Sequence, residues 1–131
     1  MSITIKPKIL VVEDQSEVLT TMTFLLELAG CEVFGAPTGP DGIRLSQNEE
    51  FDLVILDINL PEKDGFGVCA WLKQDFRFSR TPIVFVSGDW TEESRRRALE
   101  LGAVDCIEKP FTATQFVARV FSHLKTTRWR R

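Results

Sequence analysis

Short apolar runs rich in β-branched residues alternate along the chain with longer stretches in which apolar residues recur every three or four positions. Residues 9–12, 32–36, 53–56, 82–86 and 104–107 read as strands, and 16–29, 39–48, 66–75, 92–101 and 113–125 as helices. Strands separated by helices need crossover connections, so the pattern predicts an α/β domain, a parallel sheet covered by helices on both faces. Leu53-Val54-Ile55-Leu56 shows no polar alternation, which suits a central strand buried on both sides. In the last helix Phe116, Val120, Phe121 and Leu124 form a stripe to bury against the sheet. Its start is marked by Thr112 and Gln115 at capping-box spacing and by Phe111 and Phe116 at the two positions of a hydrophobic staple.

Four strands end in residues that phosphoryl chemistry uses: Glu13 and Asp14, then Asp57, then Ser87, then Lys109 followed by Pro110. A parallel sheet places all its strand C-termini on one edge, so these distant residues meet in one pocket. Two like charges at about 4 Å repel by about 4 kcal/mol at an effective dielectric of 20, and a divalent cation relieves that strain. Oxygen-only ligands with open positions select Mg²⁺ over zinc or copper, and Mn²⁺ can substitute. The expected ligands are Asp14 and Asp57 directly, the main-chain carbonyl of Asn59, and Glu13 through water. Pro61 and Gly65 shape the loop after Asp57, the first by fixing φ and the second by permitting a tight turn. Asp57 is then the expected nucleophile toward a phosphoryl group, with Lys109 capping one phosphate oxygen and Ser87 donating to another. Each residue alone has a plainer reading: Asp14 stands at capping spacing before Glu17, and Lys109-Pro110 suits an ordinary turn. Their joint placement at strand ends outweighs those readings.

The constellation resembles the receiver domain of two-component response regulators, the family of the chemotaxis and sporulation-phosphorelay receivers. The resemblance spans residues 6–125 and rests on Glu13-Asp14, D-x-x-L-P-x-x-D-G from Asp57 to Gly65, Ser87, and K-P-F from Lys109 to Phe111. It implies a flavodoxin-like (βα)5 doubly wound sheet of strand order 2-1-3-4-5 and a cis bond before Pro110. It also implies Mg²⁺-dependent phosphorylation by a sensor histidine kinase or histidine phosphotransfer protein. A downstream protein would dock on the fourth helix, fifth strand and fifth helix. Such a chain catalyses its own aspartyl phosphorylation and dephosphorylation but serves mainly as a signalling switch.

Departures from the family pattern carry expectations of their own. The family's switch aromatic, three residues before the lysine, is replaced by Cys106, and the chain has no tyrosine. Coupling to Ser87 is then weakened or carried by another group. Trp90 is the candidate, with plain packing or a partner surface as its competing role. In the family the positions of Asn59 and Asp89 lie beside the attacking water's path, and both residues are small and polar, so the resemblance implies quick self-hydrolysis. Two alternatives stay open: an interaction module that works without phosphorylation, favoured only by Cys106, and the N-terminal receiver of a longer regulator whose output domain has been removed. A haloacid-dehalogenase-like phosphatase needs D-x-D after an early strand, whereas Asp57-Ile58-Asn59 sits mid-chain and lacks the second aspartate.

Composition narrows the remainder. A chain of 131 residues with 44% hydrophobic content builds one domain, read as 6–125, followed by a basic tail or linker stub at 126–131. Lys125, Arg128, Arg130 and Arg131 leave −7 on residues 1–124, so this domain is not expected to bind nucleic acid directly. Cys31, Cys69 and Cys106 form neither C-x-x-C nor a zinc spacing. Residues 1–8 lack the apolar core of a signal peptide and no apolar run approaches about 18 residues, so the expectation is a soluble, cytoplasmic protein without membrane contact. His123 reads as a surface residue, and Arg95-Arg96-Arg97 after Glu92 and Glu93 as a solvated helix face suited to the dipole.

Overall fold

The computed structural model describes residues 6–124. Lys125 and the expected tail at 126–131, with Trp129, lie outside the described residues. In chain order the elements are β1 (Lys8–Val12), α1 (Ser16–Leu28), β2 (Glu32–Ala36), α2 (Gly39–Asn48), β3 (Leu53–Asp57), α3 (Gly65–Lys73), β4 (Ile83–Ser87), α4 (Glu92–Glu100), β5 (Asp105–Glu108) and α5 (Ala113–Ser122). All strand pairs are parallel and run β2-β1-β3-β4-β5, the flavodoxin-like order implied by the resemblance. The winding direction reverses between β1 and β3, which opens a crevice at their C-terminal ends.

Alternate residues of the strands feed two apolar layers. Leu10, Val12, Val54, Leu56 and Phe85 pack with Phe66, Val68, Leu72 and Ala98, while Ile9, Val11, Ile55, Val84 and Val86 pack with Met22, Leu26, Phe116 and Val120. Fully burying one such aliphatic or aromatic side chain stabilises by about 1.5–3 kcal/mol, so both faces of β3 and β4 are firmly clamped. That clamp holds the strand ends at the crevice in fixed positions.

Element boundaries differ from the periodicity where backbone pairing and local capping override it. β3 and β4 each run one residue further, to Asp57 and Ser87, because the ladder continues to pair Asp57 with Val86 and Ser87 with Glu108. α3 stops at Lys73, and Phe76–Phe78 forms a separate 3₁₀ turn in which the Asp75 carboxylate accepts from the Arg77 N–H at 3.0 Å. At the start of α5 the Thr112 hydroxyl accepts from Gln115 N–H at 3.1 Å, and the Phe111 and Phe116 rings stack 4.6 Å apart. α4 carries a full capping box, with Thr91 and Ser94 bonding each other's backbone.

One surface assignment is corrected. The His123 ring is half-buried, with Nε2 2.9 Å from the Asp105 carboxylate that Arg119 also engages, because the end of α5 packs over the β5 edge. The arginine run is exposed as expected, with Arg95 5.2 Å from the Trp90 ring centre and Arg97 4.6 Å from that of Phe66. Among the described residues no helix is long and apolar enough to cross a membrane.

Candidate functional site

Where β1 and β3 reach the crevice, carboxylate oxygens of Glu13, Asp14 and Asp57 all lie within 4.8 Å of one another. Glu13 and Asp57 are buried and Asp14 is exposed. Asp14 does not cap α1; the N-cap is Gln15, whose side chain makes no capping bond. Asp14 instead lines a cleft of about 250 Å³ with Gln15, Asp57, Asn59, Gly88, Asp89 and Lys109. Asp57 Oδ1 accepts from the Asn59 N–H at 3.0 Å, and Oδ2 accepts from Lys109 Nζ at 3.1 Å. Lys109 Nζ also lies 2.7 Å from Glu13 Oε1, yet that buried oxygen takes no well-directed hydrogen bond. Three clustered carboxylates form an all-oxygen donor set that fits a hard divalent cation.

Burial pushes the Glu13 carboxyl up to about 7; Lys109 opposes the shift and the neighbouring Asp57 adds to it. Burial works against the Lys109 ammonium, but Glu13 and Asp57 outweigh it and hold the lysine above its ordinary value. The Glu13 shift has a testable sign. A folded-state value above the ordinary 4.5 means that Glu13 favours folding most below 4.5, and that this contribution is lost as pH rises through about 7. In chelator, the melting temperature of wild type relative to Glu13→Gln should therefore fall across that interval. A difference that stays constant or rises with pH would contradict the assignment.

Lys109 reaches the cleft because β5 continues into a backbone bond from its N–H to the Ser87 carbonyl at 2.9 Å, followed by a cis peptide bond to Pro110. Ser87 is buried, and its Oγ accepts from the Asp89 N–H at 3.1 Å, which ties the hydroxyl to the loop before α4. The loop bearing Asn59 and Pro61 closes on itself through Gly65 N–H donating to the Ile58 carbonyl at 3.0 Å, and Asp64 then caps α3 by accepting from Gly67 N–H at 2.8 Å. Cys106 is half-buried, and Trp90 packs against the same apolar layer. Trp90 Nε1 donates to the Ile107 carbonyl at 2.9 Å, fastening the β4–α4 loop to β5.

Sequence reasoning missed Gln15, whose Oε1 accepts from Lys109 Nζ at 3.4 Å. Its position directly after the acidic pair was the available signal. It also missed the Asp105, Arg119 and His123 cluster, which depends on how α5 lies over β5. Burial opposes ionisation of Asp105, but Arg119 and then His123 hold its pKa below the ordinary value. The three cysteines are all free thiols; burial pushes Cys31 and Cys69 up to about 11 and raises Cys106, so none is an activated thiolate.

Comparison with known proteins places this geometry. Residues 9–121 match the family model described as response regulator receiver domain. The chain is 40% identical over 121 residues to a probable transcriptional regulatory protein of Picosynechococcus sp., covering 87% of this chain and 47% of that protein. It is 35% identical over 117 residues to the transcriptional regulatory protein GltR of Pseudomonas aeruginosa, covering 89% of this chain and 48% of that one. The chain thus spans about half the length of these curated relatives. The non-phosphorylated HemR receiver domain of Leptospira biflexa superposes with a TM-score of 0.85 at 32% identity, covering 96% of this chain and all of that one. With its (βα)5 sheet, its acidic cluster and a match over most of its length, the chain belongs to the receiver domain family of two-component response regulators, whose general property is phosphorylation on an aspartate.

Proposed function

We propose that Asp57 is the phosphoryl acceptor of this receiver, that residues 6–125 form the receiver unit, and that the donor is a sensor histidine kinase or histidine phosphotransfer protein. The observation that carries the reading is the placement of Asp57 within 4.8 Å of Glu13 and Asp14 with Lys109 Nζ 3.1 Å from its Oδ2. Glu13 and Asp14 with Asp57, and the Asn59 main-chain carbonyl, are the groups that would hold Mg²⁺ or Mn²⁺. When bound, the cation offsets the charge between carboxylate and incoming phosphoryl group. An Asp57 oxygen attacks phosphorus, the bond from phosphorus to the donor breaks, and the leaving group keeps that electron pair. Lys109 holds one phosphoryl oxygen, and the Ser87 hydroxyl, which accepts from the Asp89 N–H, donates its own proton to another. Asn59 and Asp89 flank the path of the hydrolytic water and leave it open.

Intact-protein mass after incubation with acetyl phosphate tests the assignment. A single adduct that needs Mg²⁺, is absent from Asp57→Asn and decays well within hours is expected. An adduct that survives in Asp57→Asn rejects the acceptor, and a lifetime of many hours rejects the open water path.

Trp90 is the proposed substitute for the missing switch aromatic, since its bond to Ile107 joins the Ser87 loop to β5 beside Cys106. Fluorescence of a variant with Trp90 as its single tryptophan should change on phosphorylation, and an unchanged spectrum would leave Trp90 a packing residue. The downstream surface is proposed on α4, β5 and α5, where Leu99 of α4 and Phe121 of α5 are exposed large apolar residues. A second reading, the input module of a longer transcriptional regulator, is favoured by relatives of that description about twice as long. The mass of the native polypeptide in its own cells decides between them.

A further inference from the structure

We infer that Gln15 is a positioning residue for Lys109, holding the ammonium over the cleft once the carboxylates that now share it turn to a cation and a phosphoryl group. The inference rests on the receiver reading above. An ammonium has three N–H donors and no acceptor. Lys109 Nζ has three side-chain oxygens in reach: Glu13 Oε1 at 2.7 Å, Asp57 Oδ2 at 3.1 Å and Gln15 Oε1 at 3.4 Å. The first two belong to the acidic cluster, and Asp57 is also the group that phosphorylation consumes. Among the described residues Gln15 supplies the neutral member of the three, which neither competes for the cation nor is chemically altered.

The Gln15 side chain has no competing duty at the helix start. It occupies the N-cap of α1 without a side-chain capping bond, while its backbone is held by N–H donation to Glu13 Oε2 at 3.1 Å and by its carbonyl accepting from Leu19 N–H at 2.9 Å. An exposed amide on a fixed backbone thus stands beside the lysine. Gln15 and Lys109 together line both the acidic cleft and the adjoining groove that contains Val18, Pro110 and Phe111, so the pair marks the divide between the two spaces. As Glu13 and Asp57 are drawn away, the long contact to Gln15 shortens and leaves two ammonium protons for phosphoryl oxygens.

Gln15→Met keeps the length and removes the acceptor, whereas Gln15→Glu keeps an acceptor in place. Adduct formation from acetyl phosphate with Mg²⁺ is followed by mass, and the Lys109 ammonium protons are followed by NMR in Mg²⁺ and fluoroberyllate, where only a held ammonium exchanges slowly enough to be seen. Gln15→Met should lower the maximal rate about tenfold, with the half-saturating donor concentration within about twofold of wild type. It should also lose the ammonium signal, which Gln15→Glu should restore. A Gln15→Met protein that matches wild type in rate and signal overturns the inference, as does a slower rate with the signal intact. A wild type that forms no adduct and binds no fluoroberyllate overturns the receiver reading itself, and this inference with it.

Discussion

Lys109→Met should slow phosphoryl uptake about 100-fold, because the variant loses the ammonium placed beside Asp57 to hold an oxygen of the transferring group. Its second effect is on the resting protein. The ammonium lies 2.7 Å from Glu13 and 3.1 Å from Asp57, and only 16% of the lysine side chain is exposed. Removing it leaves two buried carboxylates without their counter-charge, a loss of about 3 kcal/mol when one partner of a buried pair is deleted. Glu13, already pushed up to about 7 by burial, then loses the group that opposed the shift and takes a proton at neutral pH. Mg²⁺ should restore most of the lost stability, since it supplies positive charge to the same oxygens. Thermal melts with chelator and with Mg²⁺ separate the two effects. A variant that is stable in chelator, indifferent to Mg²⁺ and phosphorylated at the wild-type rate would show that Lys109 neither balances the acids nor holds the phosphoryl group.

Gly65→Ala should cost about 3 kcal/mol and lower the melting temperature by about 10 °C. A Cβ at Gly65 would stand 2.2 Å from the Asp57 carbonyl oxygen, 2.9 Å from its carbonyl carbon and 3.0 Å from Ile58 Cα. These are backbone atoms of a strand end clamped by the core, so no side chain can swing aside to make room. Relief must come from moving the loop that carries Asn59 away from β3, which breaks the bond from Gly65 N–H to the Ile58 carbonyl and displaces the Asn59 N–H from Asp57 Oδ1. Phosphoryl uptake should fall about tenfold with it, as misplacement by a fraction of an ångström costs rate far from any direct contact. An alanine variant with wild-type stability would mean that the loop yields freely and does not fix the site.

The strands, their parallel arrangement and the acidic edge were readable from the chain because each rests on local pattern. Apolar runs such as Leu53 to Leu56 demand burial on both faces, helices between strands demand crossovers, and a parallel sheet sends Glu13, Asp57, Ser87 and Lys109 to one edge whatever the packing details. Boundaries were less legible: backbone pairing carried β3 into Asp57 and β4 into Ser87 although the apolar run had ended. Contacts between side chains far apart in sequence were not legible at all. That Trp90 donates to Ile107, that His123 and Arg119 converge on Asp105, and that Lys109 divides itself among Glu13, Asp57 and Gln15 depend on the path of the β4–α4 loop, on how α5 lies against β5 and on the turn after β1. The sequence by itself determined which chemical groups stand at the crevice, since period and strand order place them there. Only the tertiary structure decided which of those groups touch, because hydrogen-bond and ion-pair geometry change over fractions of an ångström that no residue pattern encodes.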